Sequence, residues 1–323
     1  MKDWTQYGPT LVTGSNGFVG TALSRRIEQT GGKVLRVQRS AGGAAGFSDV
    51  HVVPSIDGLT DWHTVLRGCA NVVHLAARVH MLDDPAADPI VEYRRVNTAG
   101  TLRLAEQAAQ AGVRRFVFLS SVKVNGEGRE TPYRADEPPA PGDPYGQSKW
   151  EAEMGLASIG ARSGMEVVII RPPLVYGPGV RANFLRLLGA VSRGMPLPLG
   201  AIRNRRSIVY VENLVDFVMT CVTNPHAAGR TFMIADDEDV STPELIERIG
   251  NAMGRPARLV PVPPALLRAV GRLCGKSPQV ERLLGSLTVD TAPAHGELGW
   301  HAPYSLSDGL AATASWYIRH CVK

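Results

Sequence analysis

Six short apolar runs, at residues 9–13, 33–37, 50–53, 71–75, 115–120 and 166–170, recur through the first half of this chain. They read as strands, and helical spacing fills several of the gaps between them. Residues 21–29 place Ala22, Leu23 and Ile27 on one side of a helix. Residues 91–111 read as one long helix, and another carries Tyr145. Strands that alternate with helices imply a parallel sheet covered on both faces. The expected class is α/β, a Rossmann-type doubly wound parallel sheet with a smaller C-terminal lobe. A length of 323 residues suits that plan.

Composition shifts after Arg171. Prolines become frequent (Pro172, Pro173, Pro178, Pro196, Pro198, Pro261, Pro263, Pro264), and short helical pieces at 184–192, 243–253 and 264–274 replace the strand–helix rhythm. Residues 206–211 and 214–222 are expected to return to the main sheet. The implied division is residues 1–172, with a return segment at about 207–236, as a dinucleotide-binding domain. Residues 173–206 and 237–323 form a substrate-binding lobe.

Several function classes are disfavoured. The formal net charge is +5, and its densest basic spot is Arg203, Arg205 and Arg206. No basic tract with interleaved aromatics suggests nucleic acid. Cys69, Cys221, Cys274 and Cys321 are scattered, with no metal or disulfide spacing. The polar N-terminus predicts no signal peptide. No apolar run approaches the ~18 residues of a membrane span. A cytoplasmic protein without membrane insertion is expected.

Gly14, Gly17 and Gly20 follow the first strand and open the first helix, with Asn16, Phe18 and Val19 among them. A dinucleotide pyrophosphate rests at such a turn, against backbone N–H groups and the positive end of the helix dipole. The second strand ends in Gln38, Arg39 and Ser40. NAD-selective sites usually carry an acid there. Arg39 and Ser40 suit a 2′-phosphate instead, which favours NADPH or dual use of NADH and NADPH; a merely solvated Arg39 is the alternative. Asp57 is placed to meet adenine, or to cap a turn. Tyr145 and Lys149, four apart, share a helix face. A cation beside a phenol lowers its pKa and provides a proton donor or acceptor near neutrality.

With these residues assembled, the chain resembles the extended short-chain dehydrogenase/reductase family, in its nucleotide-sugar branch. The resemblance implies that Gly14, Gly17 and Gly20 form the dinucleotide turn. It places Ala76, Ala77, Arg78 and Pro172 beside the cofactor, and Asn97 as a supporting helix asparagine. Ser121, Tyr145 and Lys149 take the catalytic positions. It further implies a UDP-sugar site with Asn183, Leu197, Arg206, Arg282 and Asp290, and a homodimer built on the helices of Asn97 and Tyr145. His80 and Lys123 are candidate substrate contacts, or a loop residue and a solvated lysine. Asn183 is alternatively a helix cap, and Arg206 a solvated charge.

The implied chemistry is hydride transfer at a sugar carbon, with Tyr145 exchanging a proton and Ser121 orienting the oxygen. Lys149 would bind the nicotinamide ribose and keep the tyrosine pKa low. Dehydratases of this family place Asp-Glu after the catalytic residue, where Val122 and Lys123 stand here. Leu174 replaces the asparagine of many epimerases. The leading expectation is an NAD(P)H-dependent 4-ketoreductase acting on a UDP-4-keto-6-deoxy-N-acetylhexosamine. Its product would be UDP-N-acetylquinovosamine for bacterial surface polysaccharide. A UDP-hexose 4-epimerase with retained NAD is the alternative, and a non-catalytic NADPH sensor a remote third.

Overall fold

The computed structural model describes residues 4–39, 49–79 and 88–322. Ser40 and His80 lie outside them. The strands are β1 (Thr10–Thr13), β2 (Val34–Gln38), β3 (Val50–Val52), β4 (Asn71–His74), β5 (Arg115–Leu119), β6 (Glu166–Arg171), β7 (Leu174–Tyr176), β8 (Ile208–Tyr210) and β9 (Thr231–Met233). The α-helices are α1 (Phe18–Gln29), α2 (His63–Leu66), α3 (Pro89–Tyr93), α4 (Gly100–Gln110), α5 (Pro144–Ser163), α6 (Ala182–Ser192), α7 (Val211–Thr223), α8 (Thr242–Ala252), α9 (Pro264–Leu273), α10 (Ser277–Leu284), α11 (Ala292–Leu298) and α12 (Leu306–Cys321).

Seven strands pair in parallel in the order β3-β2-β1-β4-β5-β6-β9. The chain builds outward from β1 in one direction, then returns to β4 and builds the other way. The switch point between β1 and β4 opens a crevice at the carboxyl ends of the strands, where ligands of such sheets bind. Neighbouring residues within one strand serve opposite cores, as the two-residue period requires. Val12, Val73 and Val117 pack with Leu23, Ile27 and Phe217 of α1 and α7. Leu11, Val72 and Phe116 pack with Leu104 and Leu156 of α4 and α5. A third cluster, around Tyr176, Phe184, Tyr210, Leu245 and Leu310, forms the smaller lobe.

Two expectations are corrected here. Residues 206–211 do not rejoin the main sheet: β8 pairs with β7 in a separate two-stranded sheet. The late strand of the main sheet is β9, on the free side of β6, and α7 covers α1. Residues 91–111 are also not one regular helix. A π-helical segment, Arg94–Ala99, separates α3 from α4. Gly100 ends this segment under a tight contact, because a Cβ there would lie 3.0 Å from the Ile56 backbone.

Helix α5 starts where its sequence dictates. Asp143 caps it by accepting from the Gly146 N–H at 2.7 Å, and Pro144 fits the first turn. Gly164, at φ 76°, ends it. Two turns beyond Tyr145, Glu153 forms a buried ion pair with Arg171 at the end of β6, at 2.5 Å. The Ser120 hydroxyl donates to Glu153 at 2.5 Å, and Arg171 donates to Asn125 Oδ1 at 3.0 Å and the Ala135 carbonyl at 3.3 Å. Breaking such a pair from one side strands the other charge, at a cost of about 3–5 kcal/mol. Arg171→Met should lower the melting temperature sharply, and Arg171→Met/Glu153→Met should recover much of the loss. A double variant no more stable than the single one would count against this role.

Candidate active site

The turn after β1 is built for close approach. Gly14 has φ 65°, and a Cβ there would meet the Ala76 nitrogen at 3.0 Å. A Cβ on Gly20 would lie 2.1 Å from the Gly14 carbonyl oxygen. Neither position admits a side chain. Helix α1 has no side-chain cap at Gly17 and no acid in its first turn. Its first N–H groups and positive dipole end therefore face the switch-point crevice, which suits a pyrophosphate. Asn16 is exposed there, and Phe18 and Val19 are half-buried.

Beneath the turn lies a hydrogen-bonded chain absent from the sequence reading. Thr13 Oγ1 accepts from the Leu75 and Ala76 N–H groups, both at 3.2 Å, so its own proton goes to His74 Nδ1 at 2.7 Å. His74 Nε2 then donates to Thr101 Oγ1 at 2.9 Å, and Thr101 donates to the Asn97 carbonyl at 2.7 Å. Full burial, with Lys149 nearby, pushes the His74 pKa down to about 3. The imidazole is thus neutral, with its proton on Nε2.

Asn97, inside the π-helical segment, locks the next loop. Its Oδ1 accepts from the Arg78 N–H at 2.8 Å, and its Nδ2 donates to the Arg78 carbonyl and to Ser148 Oγ, each at 3.0 Å. Ser148 donates in turn to the Tyr145 carbonyl at 2.8 Å. Ala76, Ala77 and Arg78 are thereby fixed relative to the helix of Tyr145. The Arg78 guanidinium lies 5.5 Å from the centre of the Tyr93 ring, and that ring meets Tyr145 edge-on at 6.0 Å.

The three expected catalytic residues converge. Ser121 lies just past β5, and the Val122 N–H bonds the Pro172 carbonyl at 3.0 Å. The Ser121 hydroxyl lies near enough to the Tyr145 phenol to act on its pKa. Lys149 is buried, with Nζ on the Leu119 carbonyl at 2.8 Å and 4.4 Å from the centre of the Phe118 ring. The electrostatics differ from the sequence expectation. Burial pushes the Tyr145 pKa up; the nearby Ser121 hydroxyl opposes this, while Asp143 and Tyr93 add to it. Burial pushes Lys149 down to about 7, against the pull of Glu153. Two groups desolvated together each resist charging, so a four-residue spacing alone does not give a low tyrosine pKa.

At the far end of the crevice, Gln38 is 3% exposed and its Oε1 has no partner among the described residues. Arg39 is exposed beside it. Asp57 accepts from the Leu59 N–H at 2.9 Å and faces Arg95 at 3.4 Å. Those contacts, the Leu59 bond first, hold its pKa down.

The expected substrate residues separate into groups. Lys123 is not free: it pairs with Asp143 and with Glu127 at 2.9 Å, bracing the start of α5. Arg282 meets the same Glu127 at 3.0 Å. Arg206 donates to the carbonyls of Arg282 at 2.8 Å and Gly285 at 3.2 Å. No carboxylate among the described residues pairs with Arg206, and burial pushes its pKa down. Such a guanidinium suits an anion. Asn183 does not cap α6; Arg181 holds that position, without a side-chain bond, and Asn183 is exposed in the first turn. Leu197 is half-buried, its N–H bonded to the Arg258 carbonyl at 2.8 Å. Asp290, just before α11, accepts from the Ala292 N–H at 2.9 Å. It lines a cavity of about 620 Å³ with Arg129, Arg134 and His295.

Residues 10–235 match the model of the NAD dependent epimerase/dehydratase family. This chain belongs to that family. It is 44% identical to a UDP-glucose 4-epimerase of Vibrio cholerae, over 96% of this chain and 95% of the relative. It is 29% identical to an Escherichia coli O157:H7 N-acetyl-alpha-D-glucosaminyl-diphospho-ditrans,octacis-undecaprenol 4-epimerase, over 97% and 96%. Its fold superposes on MoeE5, solved with UDP-glucuronic acid and NAD, with a TM-score of 0.77 and 28% identity, covering 97% and 99% of the two chains.

Glu153 was legible in principle, because Tyr145, Lys149 and Glu153 repeat every four residues on one face of α5. His74, Thr101 and Tyr93 carry no such local signal.

The Lys149 shift has a consequence for stability in the cofactor-free protein. Between pH 7 and the ordinary lysine range the unfolded chain keeps this proton and the folded chain has lost it. Folding stability therefore rises with pH across that window. Lys149→Met should flatten the rise in melting temperature between about pH 7 and pH 10. An unchanged slope would show that Lys149 keeps its proton when buried.

Proposed function

We propose that this protein is a UDP-hexose 4-epimerase that retains NAD. The similarity to the Vibrio cholerae UDP-glucose 4-epimerase carries the reading. The convergence of Ser121, Tyr145 and Lys149 supports it. The site fits a nicotinamide dinucleotide: Gly14 and Gly20 leave a cradle that a Cβ would fill. The unpartnered Gln38 Oε1 is an acceptor suited to a ribose hydroxyl. When bound, the nicotinamide supplies the two-electron chemistry, taking a hydride from C4 and returning it.

The chain's own residues supply the rest. Tyr145 would act as the phenolate, taking the C4 hydroxyl proton as that carbon is oxidised and returning it on reduction. Burial disfavours the phenolate in the cofactor-free protein, so the positive charge of a bound nicotinamide would have to favour it. Ser121, beside the phenol, orients the same oxygen. Lys149 is placed to hold the cofactor ribose, and the N-terminus of α1 the pyrophosphate. Arg206, with Arg282 and Asn183 nearer solvent, is assigned the sugar-nucleotide diphosphate, and Leu197 the base.

The 4-ketoreductase remains the second reading. It is favoured by Arg39 at the end of β2, where an acid would select against NADPH. The two separate cleanly. Purified protein given UDP-glucose or UDP-N-acetylglucosamine, without added cofactor, should yield the galacto epimer. Consumption of NAD(P)H in proportion to a UDP-4-keto-6-deoxy sugar, with no epimer formed, would overturn the proposal in favour of the reductase. Tyr145→Phe should lower kcat by about 10²–10⁴-fold with little change in KM. Arg206→Leu should mainly raise KM. Arg39→Asp should leave epimerisation intact and, if the reductase reading holds, shift preference from NADPH to NADH.

A further inference from the structure

Helix α9 shows three faces. Leu267 packs into the smaller lobe, and Gly271 lies against Val280 of α10, where a Cβ would approach to 2.7 Å. A second face carries Arg268 and Arg272, both exposed. The third carries Leu266, Ala269, Val270 and Leu273, spaced i, i+3, i+4 and i+7, and it faces solvent. Leu266 is 54% exposed, Val270 50% and Leu273 89%. A contiguous apolar stripe of this kind on a helix surface marks a contact with something absent from the chain.

The surrounding charge indicates what that is. Residues 255–286 hold six basic side chains (Arg255, Arg258, Arg268, Arg272, Lys276 and Arg282) and one acid, Glu281. That surplus of five equals the formal net charge of the whole chain, so the remainder is balanced. Glu281 pairs with Arg268 at 3.0 Å, and Arg272 and Lys276 stand exposed at the end of α9. An apolar stripe with the exposed Arg272 and Lys276 at its end, in a stretch rich in basic side chains, fits the boundary between acyl chains and anionic headgroups. No helix among the described residues is long and apolar enough to cross a membrane, so the contact is a surface one.

We propose that α9 docks this protein on an anionic lipid bilayer, lying in the interface with its Leu266–Leu273 face in the lipid. The inference is independent of which C4 reaction the site performs. It places the substrate side of the smaller lobe near the bilayer. The Val260 N–H bonds the Leu197 carbonyl at 2.8 Å, and α9 begins four residues after Val260.

Co-sedimentation of the full chain with vesicles tests this. Binding is expected to vesicles rich in phosphatidylglycerol and not to pure phosphatidylcholine, and it should weaken as salt rises above about 0.1 M. Leu266→Glu/Val270→Glu should cut the bound fraction by about tenfold or more, and Arg272→Glu/Lys276→Glu should do so for the charge term. Turnover of a soluble UDP-sugar and the melting temperature should stay unchanged, which separates lost docking from lost folding. If the double stripe variant does not fold, Leu273→Ser serves in its place. No binding to anionic vesicles, or stripe variants that bind like the parent, would overturn the proposal. So would a stripe variant that lowers the mass of the protein in solution, since the stripe would then cover a second copy of the chain.

Discussion

The site hangs on one buried ion pair. Glu153 and Arg171 join α5 to the end of β6 and, through Ser120, Asn125 and Ala135, draw in the end of β5 and the loop that follows it. Their remaining hydrogen-bonding capacity is met by protein groups, which makes a buried pair tolerable. Each segment it joins also carries a reactive or supporting residue. Ser121 follows Ser120, Pro172 follows Arg171, and Lys149 lies one turn before Glu153. The positions of Ser121 and Lys149 are thus set from behind, by a buried pair of charges.

A second constraint acts from the other side. Asn97 ties the Arg78 loop to α5, and the Thr13–His74–Thr101 chain ties the first strand to the same asparagine through its carbonyl. The glycine turn, the loop after β4 and the catalytic helix therefore share one hydrogen-bonded frame. Such a frame would keep the reacting groups of the proposed reaction in register, because small misplacements cost rate steeply.

Much of this was legible where the signal is local. The glycine turn, Ser121 and the Tyr145–Lys149 spacing read directly because each depends on backbone reach or on one helix face. The sheet rhythm was clear through β6. It failed at β8 because a three-residue apolar strand does not name its partner, and Ile208–Tyr210 and Thr231–Met233 are equally short. Lys123 read as a substrate contact or a solvated lysine although Glu127, four residues on, was within local reach; its second acid, Asp143, and the Glu127 partner of Arg282 are remote in sequence. The Tyr145 pKa was misjudged because spacing reports proximity and says nothing about desolvation.

The π-helical segment has a further consequence. A wider turn holds one more residue than an α-turn of the same rise. The path from Pro89 to Gln110 therefore carries a surplus residue whose removal would leave both ends where they are and rotate what lies between. Asn97 would swing off the Arg78 backbone although no contact residue had been replaced. The length of that stretch thus helps to set the site, alongside the identity of the side chains within it.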